Sequence, residues 1–158
     1  MATTNQMYQT LIIEHDRSPR NYKRLDAPTH HAEGRNPLCG DEVSLELQVD
    51  AEGRIVDVAF QGSGCAVSKA SASLLTTTVQ GKTVTEAREL FEGFHGLLTG
   101  HPVPGVKLGK LEVFGGLAAY PMRVKCVMRG LICPRFRAVT CGGCGGRCRS
   151  SSRILTAA

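Results

Sequence analysis

A chain of 158 residues with 42% hydrophobic content has the size and apolar fraction of one compact domain, which excludes wholesale disorder. With 5 Phe, 3 Tyr and no Trp, the core must be built mainly from Val, Leu, Ile and Ala. The formal charge of +5 is uneven: residues 1–126 carry 13 Lys/Arg against 14 Asp/Glu, while residues 127–158 carry six Arg and no acid or Lys. The basic balance belongs to the tail, so a phosphate-binding cluster of cations is not expected on the body, and nucleic acid is not an expected partner.

In chain order, residues 7–15 (MYQTLIIEH) place Met7, Leu11 and Ile12 on a short helical stripe, ended by Ser18-Pro19. Residues 20–42 are rich in Pro, Gly, His and charge, and read as an extended loop. Val43, Leu45, Leu47 and Val49 alternate as in a strand. A turn at 50–53 leads into a returning strand marked by Ile55, Val56, Val58 and Phe60, so a two-stranded hairpin is expected. Gly62-Ser63-Gly64 breaks it, and a helix is predicted from about Cys65 to Gln80, closed by Gly81. Thr83 opens another helix, with Glu86 spaced for a capping box. Residues 96–109 read as a Gly/Pro loop, and 111–132 as helical again, with Pro121 near a helix start. Helix, strands, then several helices predict an α+β domain: a small antiparallel sheet packed against helices.

Composition changes near residue 133. The predicted organisation is a domain over 1–132 followed by an atypical Cys-, Gly- and Arg-rich tail over 133–158. The abrupt change is what a reading-frame shift in GC-rich DNA would produce; a native disordered tail and a metal-binding tail are the alternatives. Cys133, Cys141, Cys144 and Cys148 include one Cys-x-x-Cys pair, but the other spacings match no known module.

The seven Cys are an odd number, which rules out complete disulfide pairing within one chain. No basic segment followed by an apolar stretch opens the sequence, and no run approaches the roughly 20 apolar residues of a membrane span. A cytoplasmic location is expected, with no membrane partner. In that compartment clustered thiols read as metal-binding or reactive.

Three segments carry the chemistry. In NPLCGDEV, Cys39 and Asp41 flank the flexible Gly40, a spacing that lets both meet one ion. In GSGCAVSK, Cys65 sits at a helix start, where the macrodipole favours a thiolate. In RVKC, Cys126 follows Arg123 and Lys125, cations expected to lower its pKa. Three thiols and one carboxylate suit zinc or cluster iron, and a carboxylate in place of a fourth Cys or His argues for a site meant to open. Each residue alone has an ordinary reading: a buried thiol for Cys126 or Cys65, and a solvated turn residue for Asp41. His30 and His31 precede Cys39 and read as solvated loop residues, with approach to a metal as the alternative. His15 reads as surface, and His95 and His101 carry no motif.

NPLCGDEV, GSGCAVSKASASLL and RVKC, with YQTLIIEHDRSPRN at the start, resemble the SufU/IscU (NifU N-terminal-like) family of iron–sulfur cluster assembly proteins over residues 7–126. Lys125 stands where the IscU branch has His, no Leu-Pro-Pro-Val-Lys motif is present, and 60 residues separate Cys65 from Cys126. These features favour the SufU branch.

The resemblance implies an α+β fold with Cys39, Asp41, Cys65 and Cys126 as ligands of resting Zn2+, and a transient iron–sulfur cluster as a further cofactor. It also implies a SUF-type cysteine desulfurase as partner, delivering persulfide sulfur to Cys39 after a desulfurase His displaces that thiolate from the metal, and downstream cluster acceptors. Such a chain is a sulfur acceptor and scaffold rather than a conventional turnover enzyme. The rival readings are a structural zinc protein and a nucleic-acid-binding protein with a basic, Cys-rich tail. Against the second, Phe136 is the only aromatic residue among the tail arginines.

Overall fold

The computed structural model describes residues 4–37 and 39–131; the predicted tail and its cysteines lie outside them. The elements run α1 (Thr4–Arg17), β1 (His30–Asn36), β2 (Asp41–Val49), β3 (Ile55–Ser63), α2 (Ala66–Val79), α3 (Val84–Thr99), a 3-10 segment (Gly109–Ala119) and α4 (Pro121–Leu131). The three strands form an antiparallel meander in the order β1-β2-β3, and helices cover one of its faces. The α+β expectation is borne out.

The sheet is larger than the sequence predicts. Residues 30–36 (HHAEGRN) carry almost no apolar pattern, yet they pair with β2 from His30 opposite Leu47 to Asn36 opposite Asp41. Pairing with a neighbouring strand, not local propensity, makes this segment β.

The β2–β3 hairpin follows its alternation, with Glu42 opposite Ser63 and a bulge at Gln48/Val49. Side-chain direction alternates along a strand, so Asp41 shares a face with Val43, Leu45 and Leu47. Val43 and Leu47 are buried there. A carboxylate therefore ends the apolar face of the sheet.

Helix α2 lays Ala70, Leu74 and Leu75 into the core, and α3 adds Leu90, Phe94 and Leu98. The capping box forms: the Glu86 amide donates to Thr83 Oγ1, and the Thr83 amide donates to the Glu86 carboxylate. Gly81 takes φ +81 just beyond α2, a left-handed conformation open to glycine. Helix α3 continues to Thr99, so the predicted loop from 96 begins one turn later.

Residues 109–119 wind as a 3-10 helix, within the stretch from 111 that reads as helical. Leu111, Phe114 and Leu117 recur every third residue and are buried, which matches three residues per turn. Phe114 meets Phe94 edge-on with ring centroids 5.8 Å apart.

Two details of α1 differ from the sequence reading. Met7 is exposed, and the buried face is carried by Ile12 and His15, with Tyr8 packed against the core. His15, expected at the surface, is 1% exposed, with Nδ1 2.8 Å from Ser73 Oγ of α2. Its burial comes from the packing of α1 on α2.

Candidate metal centre

The β1–β2 connection delivers the first two candidate ligands. Gly40 adopts φ +73 and its amide donates to the Asn36 carbonyl at 2.8 Å, closing the turn that carries Cys39 at an exposed position. The chain then enters β2 at Asp41, which is 3% exposed. It is not a solvated turn residue.

Beyond the end of β3, Gly64 lies directly against the Asp41 side chain: a Cβ there would stand 3.0 Å from Cγ and 3.1 Å from Oδ1. At Gly62 a Cβ would collide with the Glu42 carbonyl oxygen. These glycines let β3 leave the sheet close to β2. The Cys65 amide consequently reaches Asp41, donating to Oδ1 at 3.2 Å. Oδ2 is buried and has no hydrogen-bond partner among the described residues.

Helix α4 packs on β1, β2 and α2, and brings Cys126 to the same place. The sulfurs of Cys126 and Cys39 are 3.6 Å apart. One ligand atom each from Cys39, Asp41 and Cys126 lie within 4.8 Å of one another.

Cys65 is adjacent but outside that group. As N-cap of α2 its Sγ accepts the Ser68 amide at 3.4 Å, so the thiol caps its own helix. The sequence brings four candidates to one end of the sheet, and three of them converge.

The electrostatics correct one expectation. The neighbouring Arg123 and Lys125 predict a lowered pKa for Cys126; instead its thiol is pushed up to about 12. Burial is the first cause, followed by the hydrogen bond with Cys39 and the negative potentials of Cys65, Cys39 and Asp41. Lys125, one residue before Cys126, leaves α4 on a different side, and Arg123 lies 5.4 Å over the Tyr120 ring.

Such a donor set fits a thiophilic divalent ion. It combines soft sulfur with a buried, unpartnered carboxylate oxygen, and a cation would relieve the crowding of acidic groups. His30 and His31 do not contribute: they begin β1, five or six residues and about 16–20 Å of strand from Asn36. His31 pairs instead with Glu33 at 3.1 Å.

The profile of the NifU-like N terminal domain matches residues 7–127. The chain belongs to this family. It is 36% identical over 127 residues to the iron–sulfur cluster assembly scaffold protein IscU of Streptococcus pyogenes serotype M1, covering 80% of this chain and 79% of that one. The zinc-dependent sulfurtransferase SufU of Bacillus subtilis (strain 168) is 31% identical over 126 residues, 79% of this chain and 84% of SufU.

Among solved structures, FiSufU from Fervidobacterium islandicum AW-1, assigned as a SUF-system scaffold protein, superposes with a TM-score of 0.74 at 30% identity. The match covers 87% of this chain and 96% of that one. These two SufU relatives support the SufU lean drawn from Lys125 and the long Cys65–Cys126 interval. No helix among the described residues is long and apolar enough to cross a membrane.

Proposed function

We propose that this NifU-like domain works in iron–sulfur cluster assembly, with Cys39 accepting persulfide sulfur from a cysteine desulfurase of the SUF type. The observation that carries the reading is the convergence of Cys39, Asp41 and Cys126 with the buried Oδ2 of Asp41 unpartnered.

Cys39, Asp41 and Cys126 would hold a resting Zn2+, with Cys65 as fourth ligand once its sulfur leaves the Ser68 amide. Bound zinc keeps its thiol ligands deprotonated. The exposed turn places Cys39 where a donor persulfide can approach, while Cys126 is less accessible. In the transfer, the Cys39 thiolate attacks the terminal sulfur of the donor persulfide; a new S–S bond forms, and the donor cysteine leaves as a thiolate. Iron and the growing cluster are cargo, destined for downstream acceptor proteins. The reducing cytoplasm suits a site of free thiols.

The test joins two measurements on the full chain. Metal analysis of the protein as purified should return about one zinc per chain, following the four-ligand site. Incubation with a SUF-type desulfurase and cysteine should add sulfur to Cys39, located by mass spectrometry of alkylated peptides. Cys39→Ser loading to the parent's level would overturn the assignment. Anaerobic addition of iron separates the two roles within cluster assembly: a stable visible chromophore marks a scaffold, its absence with strong desulfurase stimulation a sulfur relay. The Streptococcus relative supports the scaffold role and the Bacillus relative the relay.

A further inference from the structure

A second polar site lies at the other end of α2. A cavity of about 190 Å³ opens between α1, α2, α3 and the start of the 3-10 segment. Leu74, Leu90 and Leu108 supply its apolar part, and Arg20, Lys82, Lys107 and Lys110 bring four cations to its wall, a local cluster that the near-neutral charge of residues 1–126 hides. No carboxylate lines it. Thr78, also in the wall, is 13 residues along the chain from Cys65, about 20 Å of helix. The cavity is thus separate from the metal centre.

Lysines on a surface are ordinarily solvated, and cations near the C-terminal end of a helix offset its dipole. The buried group beside them distinguishes this place. His15 lines the cavity, is 1% exposed, and has no partner at Nε2 among the described residues.

Its Nδ1 edge is turned to Ser73 Oγ at 2.8 Å, and that hydroxyl already accepts the Arg20 amide at 2.8 Å. Among the described residues the Ser73 hydroxyl has no other acceptor for its proton. Donating it to Nδ1 leaves the imidazole proton on Nε2. A buried N–H donor without an acceptor is costly, and here it stands among cations. An acceptor with negative charge meets both needs; a metal ion meets neither.

The cations narrow the chemistry. Arg20, the one planar fork, is engaged by Glu14 at 3.0 Å. Lys82, Lys107 and Lys110 have no carboxylate at ion-pair distance among the described residues. Ammonium groups act as point charges and suit a tetrahedral, multiply charged anion. We propose that this cavity binds a phosphate group, with Lys82, Lys107 and Lys110 supplying the charge and His15 Nε2–H, covered in this structure, donating to it once that edge is uncovered.

The full chain can be titrated with inorganic phosphate, and separately with adenosine triphosphate, at ionic strength matched by sodium chloride. Imidazole nitrogen resonances and calorimetry are the readouts. Phosphate should shift the His15 Nε2 resonance, and affinity should fall about tenfold or more in Lys107→Ser/Lys110→Ser, whose exposed positions leave the core intact. Tighter binding of adenosine triphosphate than of phosphate would identify a nucleotide as the source of the group; equal binding would identify free phosphate. The proposal is overturned if phosphate perturbs His15 no more than chloride does, or if the double variant binds as the parent does.

Discussion

The backbone amide of Cys65 donates a hydrogen bond to Oδ1 of Asp41, tying the start of α2 to the start of β2 across 3.2 Å. Only one carboxylate oxygen is used in this way; the other is buried and has no partner among the described residues. Asp41→Asn keeps the size of the side chain and removes its charge. Zinc affinity should fall more than about tenfold while the variant stays folded. Competition with a chelator, read beside circular dichroism, checks both halves.

Gly64 permits that arrangement. Gly64→Ala would press a methyl group against the Asp41 carboxylate. We expect loss of metal affinity with a stability cost of about 1–3 kcal/mol, set by how far the carboxylate can yield. Denaturant unfolding and metal titration of the apo protein measure the two effects separately.

The high pKa of the Cys126 thiol makes metal uptake dependent on pH. A thiol held protonated to about 12 must lose its proton to become a ligand. Metal binding should therefore release protons, and apparent affinity should rise with pH across the neutral range. In the apo protein Cys126 should be alkylated more slowly than the exposed Cys39 and Cys65. Site-resolved alkylation kinetics would refute this if Cys126 reacted as fast as they do.

His15 should give the fold a separate dependence on acid. Burial and the nearby Arg20 charge lower its pKa below the ordinary 6.5. On acidification through that value the unfolded chain takes up a proton that the folded chain resists. The stability contributed is present above about pH 6.5 and declines as pH falls toward the lowered folded value. Thermal unfolding between neutral and acid pH should show the decline, and His15→Gln should flatten it.

Legibility in the sequence followed the range of the interactions. The β2–β3 hairpin and the Thr83–Glu86 capping box are written in local patterns, and both form. Strand β1 is polar and becomes β by pairing with β2, which no window over HHAEGRN contains. His15 is buried by a partner 58 residues away.

At the metal centre the residue types and their family-like spacing were readable. The raised Cys126 pKa was not, because it depends on burial and on Cys39, Cys65 and Asp41 rather than on Arg123 and Lys125. The turning of Cys65 toward Ser68 is likewise a matter of helix capping geometry that composition does not reveal.

The turn around Cys39 is short and fastened at both ends, by the pairing of Asn36 with Asp41 and by the Gly40 amide. A sulfur atom loaded at that tip rides on a tether with almost no slack. It cannot travel to a distant recipient as cargo does on a long swinging arm. On the proposed transfer, donor and recipient would each have to seat against this end of the sheet, so the order of their visits would matter more than the reach of the chain.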